Sequence, residues 1–241
     1  MPQVKHEQVT ALLFFGKLRP VARYITPQSY ALGFHMLHTE VFLTQISLNP
    51  LPGSDFLSPS SKIRLATIQS LARAQQFILG RLLLAQAASK VLGIEYRAND
   101  ITEGEFFPCL LKAPHLHASI SHSGDCLGVT VNTERVGLDI ECCRPKANIA
   151  KLAKFALHRD EADWVNALKE ESQERFYQLW TLREAAFKAG IRDQVIRGSS
   201  LIAGDSIKVD WYWASERERT HRVSIACLAP CSMVLIHKPG L

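Results

Sequence analysis

Between Phe176 and Gly190 the chain reads FYQLWTLREAAFKAG, with no proline or glycine before Gly190 itself. Trp180, Ala185 and Phe187 alternate with charged residues at a helical rather than a strand interval, so the stretch predicts a helix stopped by glycine. Such a helix sets Glu184 and Lys188 one turn apart on one face, where an acid and a base can meet the same ligand. Upstream, Val136 to Glu141 reads VGLDIE, an apolar and β-branched run that predicts a strand. Asp139 and Glu141 then point to the same side of the sheet. If this strand and this helix pack together, three carboxylates and a lysine converge.

The rest of the chain narrows the setting. Its 241 residues, 47% of them hydrophobic, can bury a substantial core as one large domain or two small ones. The net charge of +5 favours anionic partners, yet no long Lys/Arg run concentrates it. A polyanionic small molecule or an acidic protein therefore fits better than duplex nucleic acid. The cysteines, Cys109, Cys126, Cys142, Cys143, Cys227 and Cys231, contain no CxxC pair, and adjacent Cys142 and Cys143 are awkward disulfide partners. They predict reduced thiols and a cytoplasmic protein. The opening MPQVKHEQVT has no long apolar stretch and Ala11 to Phe15 is too short to cross a bilayer, so neither export nor a membrane anchor is expected.

Taken in order, residues 4–47 mix short apolar pieces such as ALLFF and EVFLTQISL with Pro20, Pro27 and Gly33, and predict strands or short helices. Asn49 to Ser61 is a Pro/Ser/Gly-rich loop ending in Ser60 and Ser61, which are expected N-caps. Lys62 to Leu92 predicts one long helix or two stacked ones, stopped by Gly93, with Arg73 and Arg81 among the basic residues of a solvated face. Asn99 to Pro114 is an irregular connection. Ala118 to Ser123 and Leu127 to Val131 predict strands, and a domain boundary is expected near Asn132, dividing the chain into residues 1–132 and 133–241. Ile149 to Leu168 has helical period, and Ser206 to Trp213, Arg222 to Leu228 and Met233 to Ile236 predict antiparallel strands. The class is α+β, and strands plus a long helix in each half are compatible with two similar halves.

Each candidate site has a plainer reading. Asp139, Glu141 and Glu184 are the oxygen ligands a hard cation such as Mg²⁺ takes, although a DxE pair is common and Glu184 pairs equally well with Lys188 on an exposed helix. Ser121 and His122 face opposite ways on a strand, so they make no catalytic couple. At a strand end they can instead hold phosphate oxygens. Gly204-Asp205-Ser206 reads as a turn, and His35, His38, His115 and His117 lack the companions of a zinc site. No GxGxxG or GxxxxGK is present, which counts against dinucleotide and P-loop sites.

Jointly, Ser121-His122, Val136 to Glu141 and Trp180 to Lys188 resemble, in order and separation, the two-halved Sfp-type 4′-phosphopantetheinyl transferases. Those proteins carry a Ser-His motif, a (V/I)G(I/V)D strand and a W-(S/T/A)-x-K-E-(S/A)-x-x-K helix. Arg73 and Gln76 to Arg81 are similar to an R-x-x-E-F-L-A-G-R stretch that faces coenzyme A. The resemblance covers Arg73 to Gly190 and implies two α/β halves in a pseudo-dimeric fold, with the active site at their interface and a monomeric protein. It implies transfer of the phosphopantetheine arm of coenzyme A to a serine of an acyl or peptidyl carrier protein, releasing 3′,5′-ADP. Implied roles are Asp139, Glu141 and Glu184 on Mg²⁺; Glu184, Lys188 and Asp139 in catalysis; and Ser121, His122, Arg73, Arg81, Arg183 and Lys188 on coenzyme A. Two departures stand out. Arg183 occupies the usual Lys position, keeping the charge as a planar fork, so Arg183→Lys is expected to be tolerated. Phe106-Phe107-Pro108 replaces Gly-Lys-Pro and removes a cationic contact to the adenylate end. These departures motivate an alternative, an impaired homologue that binds coenzyme A or a carrier. A basic nucleic-acid-binding protein, motivated only by the charge, is more distant.

Overall fold

The computed structural model describes residues 37–46, 53–105, 107–191, 212–229 and 231–238. The pieces expected before residue 37, Phe106, the Gly204-Asp205-Ser206 turn and the start of the strand expected from Ser206 lie outside them. The architecture is α+β. β1 (Leu37–Gln45) precedes α1 (Pro59–Ala66) and α2 (Leu71–Leu92), and a short hairpin joins β2 (Ile101–Glu103) to β3 (Pro108–Leu110). β4 (His117–Ser123), β5 (Cys126–Asn132) and β6 (Val136–Cys142) follow, then α3 (Ile149–Ala156), α4 (Arg159–Ala167) and α5 (Ser172–Lys188), and finally β7 (Tyr212–Glu218), β8 (His221–Cys227) and β9 (Cys231–His237).

Several boundaries differ from the sequence expectation for local reasons. Ser58, not Ser60 or Ser61, caps α1, because its hydroxyl accepts from the Ser61 N–H. Of the two forms expected for Lys62 to Leu92, the chain takes the two-helix one: Ser70 leaves helical geometry and caps α2 through the Arg73 N–H. Within Ile149 to Leu168 the chain extends at Leu157, and His158 with Glu161 forms a reciprocal capping box that starts α4 afresh. Asn99 to Pro114 contains the β2–β3 hairpin rather than only irregular chain. α5 ends as expected, with Gly190 at φ 75°.

Two sheets carry the fold, ordered β4-β5-β1-β9 and β6-β8-β7. β7, which shares only Tyr212 and Trp213 with the strand expected over Ser206 to Trp213 and runs on to Glu218, is antiparallel to β8, but β9 leaves them and runs parallel to β1. β8 has β6 on one edge and β7 on the other, so it offers β9 no free edge. Leu79, Leu83 and Leu84 of α2 pack on the first sheet against Phe42, Leu127 and Val129. Val41 and Leu43 meet Leu138, Ile140, Val223 and Ile225 between the sheets. On the second sheet, Ala185 and Ala186 of α5 and Ala189 at its C-cap lie over Ala226. That approach depends on Gly137, where an added Cβ would stand 1.9 Å from the Ala185 carbonyl oxygen. All six cysteines are free thiols. No helix among the described residues is long and apolar enough to cross a membrane.

Candidate active site

Small residues on α5 and Gly137 let the helix lie directly along β6, so side chains of β6 meet those of α5 in sequence. Asp139 is 5% exposed, and its Oδ1 accepts from Lys188 Nζ at 2.7 Å and from the Ser121 hydroxyl at 3.0 Å. Two residues on, Glu141 Oε1 accepts from the Trp180 indole at 3.4 Å and Oε2 from the Ser123 hydroxyl at 3.0 Å. Lys188 also reaches Ser121 Oγ at 3.0 Å. The lysine is therefore partnered across elements with Asp139, not along its own helix with Glu184 as the spacing had suggested, because α5 presents it to the β6 face.

Desolvation is the main force on Asp139. Burial pushes its pKa up to about 6, against the opposing pull of Lys188 and the Ser121 hydroxyl and with a small push from Glu141. Its second oxygen, Oδ2, is buried without a hydrogen-bond partner. An orphaned carboxylate oxygen is costly to bury, and here it is the acceptor a cation would take. His122 faces away from Ser121 towards solvent, as strand alternation requires. Partial burial, then the charges of Lys188 and Arg73, hold its pKa below the usual imidazole value, while Glu141 opposes them. Arg73, exposed in the first turn of α2, thus shares one electropositive neighbourhood with His122 and Lys188.

Two cavities lie to either side of Phe187, which lines both, and Lys188 lines the second. One, of about 820 Å³, is lined by Glu141, Glu184, Trp180, Lys146 and Phe176 among others. The other, of about 790 Å³, is mostly apolar, with Phe107, Leu110, Leu116 and Ile191, and carries Arg135 and Lys188 at its edge. Glu141 and Glu184 thus line one space, while Lys188, bonded to Asp139, lines the other. Among the described residues no three His, Cys, Asp or Glu side chains stand as a ready-made metal cluster. The oxygens of Asp139 and Glu141 are instead held by Lys188, Ser121, Ser123 and Trp180, leaving Asp139 Oδ2 as the open acceptor. A set of carboxylate oxygens with one orphaned and buried suits a hard divalent cation.

Two of the basic residues singled out in the sequence are paired with acids of the fold, although Arg183 also lines the cavity that holds Glu141 and Glu184. Arg81 is buried, gripping Glu103 through Nε at 2.8 Å and Nη2 at 2.5 Å, with Phe77 beneath its guanidinium. It ties α2 to β2. Arg183 is buried against Glu161 of α4, with Nε at 2.9 Å and Nη2 at 2.6 Å from one carboxylate oxygen. The Ser121 hydroxyl also has its hydrogen-bonding capacity taken up, donating to Asp139 and accepting from Lys188 and the Ile140 N–H. Ser119, Ser123 and Trp180 were given no role by motif reading. The alternation of serines in ASISHS was the available signal, since period two puts all three hydroxyls on one side of β4.

A family model described as the 4′-phosphopantetheinyl transferase superfamily matches residues 135–210, which include the β6 acids and α5. Among curated proteins, the chain is 30% identical over 169 residues to the 4′-phosphopantetheinyl transferase AcpT of Escherichia coli (strain K12), covering 68% of this chain and 79% of that one. It is 27% identical over 135 residues to the 4′-phosphopantetheinyl transferase Sfp of Bacillus subtilis (strain 168), covering 55% of this chain and 59% of that protein. A Salmonella typhimurium AcpT is 31% identical over 118 residues, 48% of this chain and 58% of its own. The match thus spans less than two thirds of the length of two of these three relatives. With an acid-bearing strand laid against a Trp-x-x-x-Glu-x-x-x-Lys helix, and a relative of which it covers 79%, the chain belongs to the 4′-phosphopantetheinyl transferase superfamily.

Proposed function

We propose that this protein transfers the 4′-phosphopantetheine group of coenzyme A to a serine hydroxyl of an acyl or peptidyl carrier protein, giving the holo carrier and 3′,5′-ADP. The observation that carries the reading is the Lys188–Asp139–Ser121 cluster with its buried, unpartnered Asp139 Oδ2, with Lys188 on the wall of one cavity and Glu141 and Glu184 on the wall of the other. In the reaction the serine oxygen bonds to the phosphorus that bears pantetheine, the diphosphate P–O bond breaks, and 3′,5′-ADP leaves with the bridging oxygen. Glu184, half-buried on the cavity wall, is the proposed acceptor of the serine proton. Lys188 neutralises or protonates the departing phosphate, and Arg73 and His122 hold coenzyme A phosphates at the open end of the site. Asp139, Glu141 and Glu184 would hold Mg²⁺, which would supply charge neutralisation for the diphosphate. Arg81 and Arg183 act on coenzyme A only indirectly in this scheme, through the helices that they anchor.

Two sheet-and-helix units support a two-half reading, divided near Asn132 except that β9 crosses back to complete the first sheet, with the site where β4 of one meets β6 of the other. A monomer suffices when both sides of the cleft lie in one chain. The free thiols fit a reducing cytoplasm. The intact acid–lysine cluster favours a working transferase over a binding-only homologue.

The test is to incubate the protein with coenzyme A, Mg²⁺ and a panel of apo carriers and to weigh the products. A carrier should gain one phosphopantetheine group, and Asp139→Ala and Glu184→Ala should each lower the rate by at least about a hundredfold, the scale set by losing a group that acts in the transition state. Unmodified carriers throughout, with coenzyme A still bound, would leave only the binding-only homologue.

A further inference from the structure

β4 and β6 are edge strands of different sheets, and no backbone ladder joins them. Their junction is made by side chains. The Ser119 hydroxyl accepts from the Leu138 N–H at 2.9 Å, that of Ser121 from Ile140 at 3.1 Å and that of Ser123 from Cys142 at 2.9 Å. Three hydroxyls at period two thus replace three backbone carbonyls as acceptors for the β6 N–H groups that point away from β8. Each hydroxyl has one proton left to donate. Ser121 gives it to Asp139 and Ser123 gives it to Glu141, while Ser119 stands opposite Gly137, which has no side chain to receive one.

From this coupling we infer that the serine seam is the positioning device of the site: Ser123, with Trp180, fixes the Glu141 carboxylate, and Ser121 fixes Asp139, so that joining the two sheets and aiming the cation-binding oxygens are one act. The inference rests on the metal role proposed above for these acids. It removes Ser121 from direct contact with coenzyme A and assigns Ser123 a duty in the site. Loss of the Ser123 hydroxyl frees one oxygen of Glu141 to rotate and at the same time unpairs the Cys142 N–H.

Two measurements on the full chain test it. The first is calorimetric titration of Mg²⁺ in the presence of coenzyme A. Ser123→Ala should weaken Mg²⁺ binding about tenfold or more, as loss of a partner that orients a metal ligand does, and Ser123→Thr, which keeps the hydroxyl, should restore it. The second is amide hydrogen exchange, in which Ser123→Ala should speed exchange at Cys142 but not at Leu138. A folded Ser123→Ala protein with wild-type Mg²⁺ affinity overturns the positioning role, even if its melting temperature falls, since a purely structural serine predicts that result. Unchanged exchange at Cys142 overturns the seam itself. Wild-type protein that binds no Mg²⁺ overturns both the metal reading and the positioning role. Normal Mg²⁺ binding with no carrier modified sinks only the transfer reaction.

Discussion

At the scale of single residues, Asp139 shows how a site is kept ready at the expense of stability. Its folded pKa, about 6, stands above the ordinary carboxylate value of 3.8 because burial opposes the charge more than Lys188 supports it. An acid of that kind holds its proton more tightly folded than unfolded, so stability falls as pH rises through that window and the full penalty is present by pH 7. The difference corresponds to about 3 kcal/mol. In chelator-treated protein, Asp139→Asn should therefore melt at a higher temperature than wild type at pH 7, and the gain should vanish below about pH 3, where the acid is protonated in both the folded and the unfolded chain. Equal melting temperatures at pH 7 would show that Lys188 fully offsets the burial. The same substitution should abolish transfer, a stability–activity trade-off located in one carboxylate.

At the scale of elements, α5 is held from both sides. Its inner face rests on β6 through Gly137, and its outer side is pinned to α4 by Arg183, whose Nε and Nη2 share one oxygen of fully buried Glu161. The same oxygen accepts the His158 N–H and so completes the cap of α4. One carboxylate therefore starts one helix and locates the next. Arg183→Lys, expected from the sequence alone to be harmless, should instead cost about 1–3 kcal/mol, because an ammonium cannot reproduce the fork and leaves part of a buried acceptor unsatisfied. Thermal unfolding checks this. Activity per folded molecule should stay within a few-fold of wild type, whereas a large loss in a stably folded variant would give the guanidinium a part in the reaction itself.

At the scale of the whole molecule, the site is built from α2, β4, β6 and α5, elements of both sheets, and the two sheets meet through side chains rather than a ladder. A ligand that touches Arg73, His122 and Lys188 together should brace that junction. Coenzyme A with Mg²⁺ at about 100 times the dissociation constant should stabilise the fold by about 2.7 kcal/mol, and coenzyme A with chelator should give less. Equal shifts in melting temperature under the two conditions would argue against a cation shared by ligand and carboxylates.

Much of this was legible in the chain. Helical period fixed α5 and Gly190 its end, alternation fixed the common side of Asp139 and Glu141, and the ordered motifs marked the family. Local signals of that kind depend only on neighbours in sequence. The partners of the charged groups were not legible, since Lys188 could bind Glu184 or Asp139, and Arg81 and Arg183 could face a ligand or a buried acid. Which they meet depends on which elements pack together, and that is set by the closeness Gly137 permits, by the occupied edges of β8 that send β9 to β1, and by burial, which makes a distant carboxylate the obligatory partner of a buried arginine. Sequence determined the elements and the chemistry they carry. Tertiary structure decided which of those groups remain open to a ligand, because only folding removes water from some and leaves it to others.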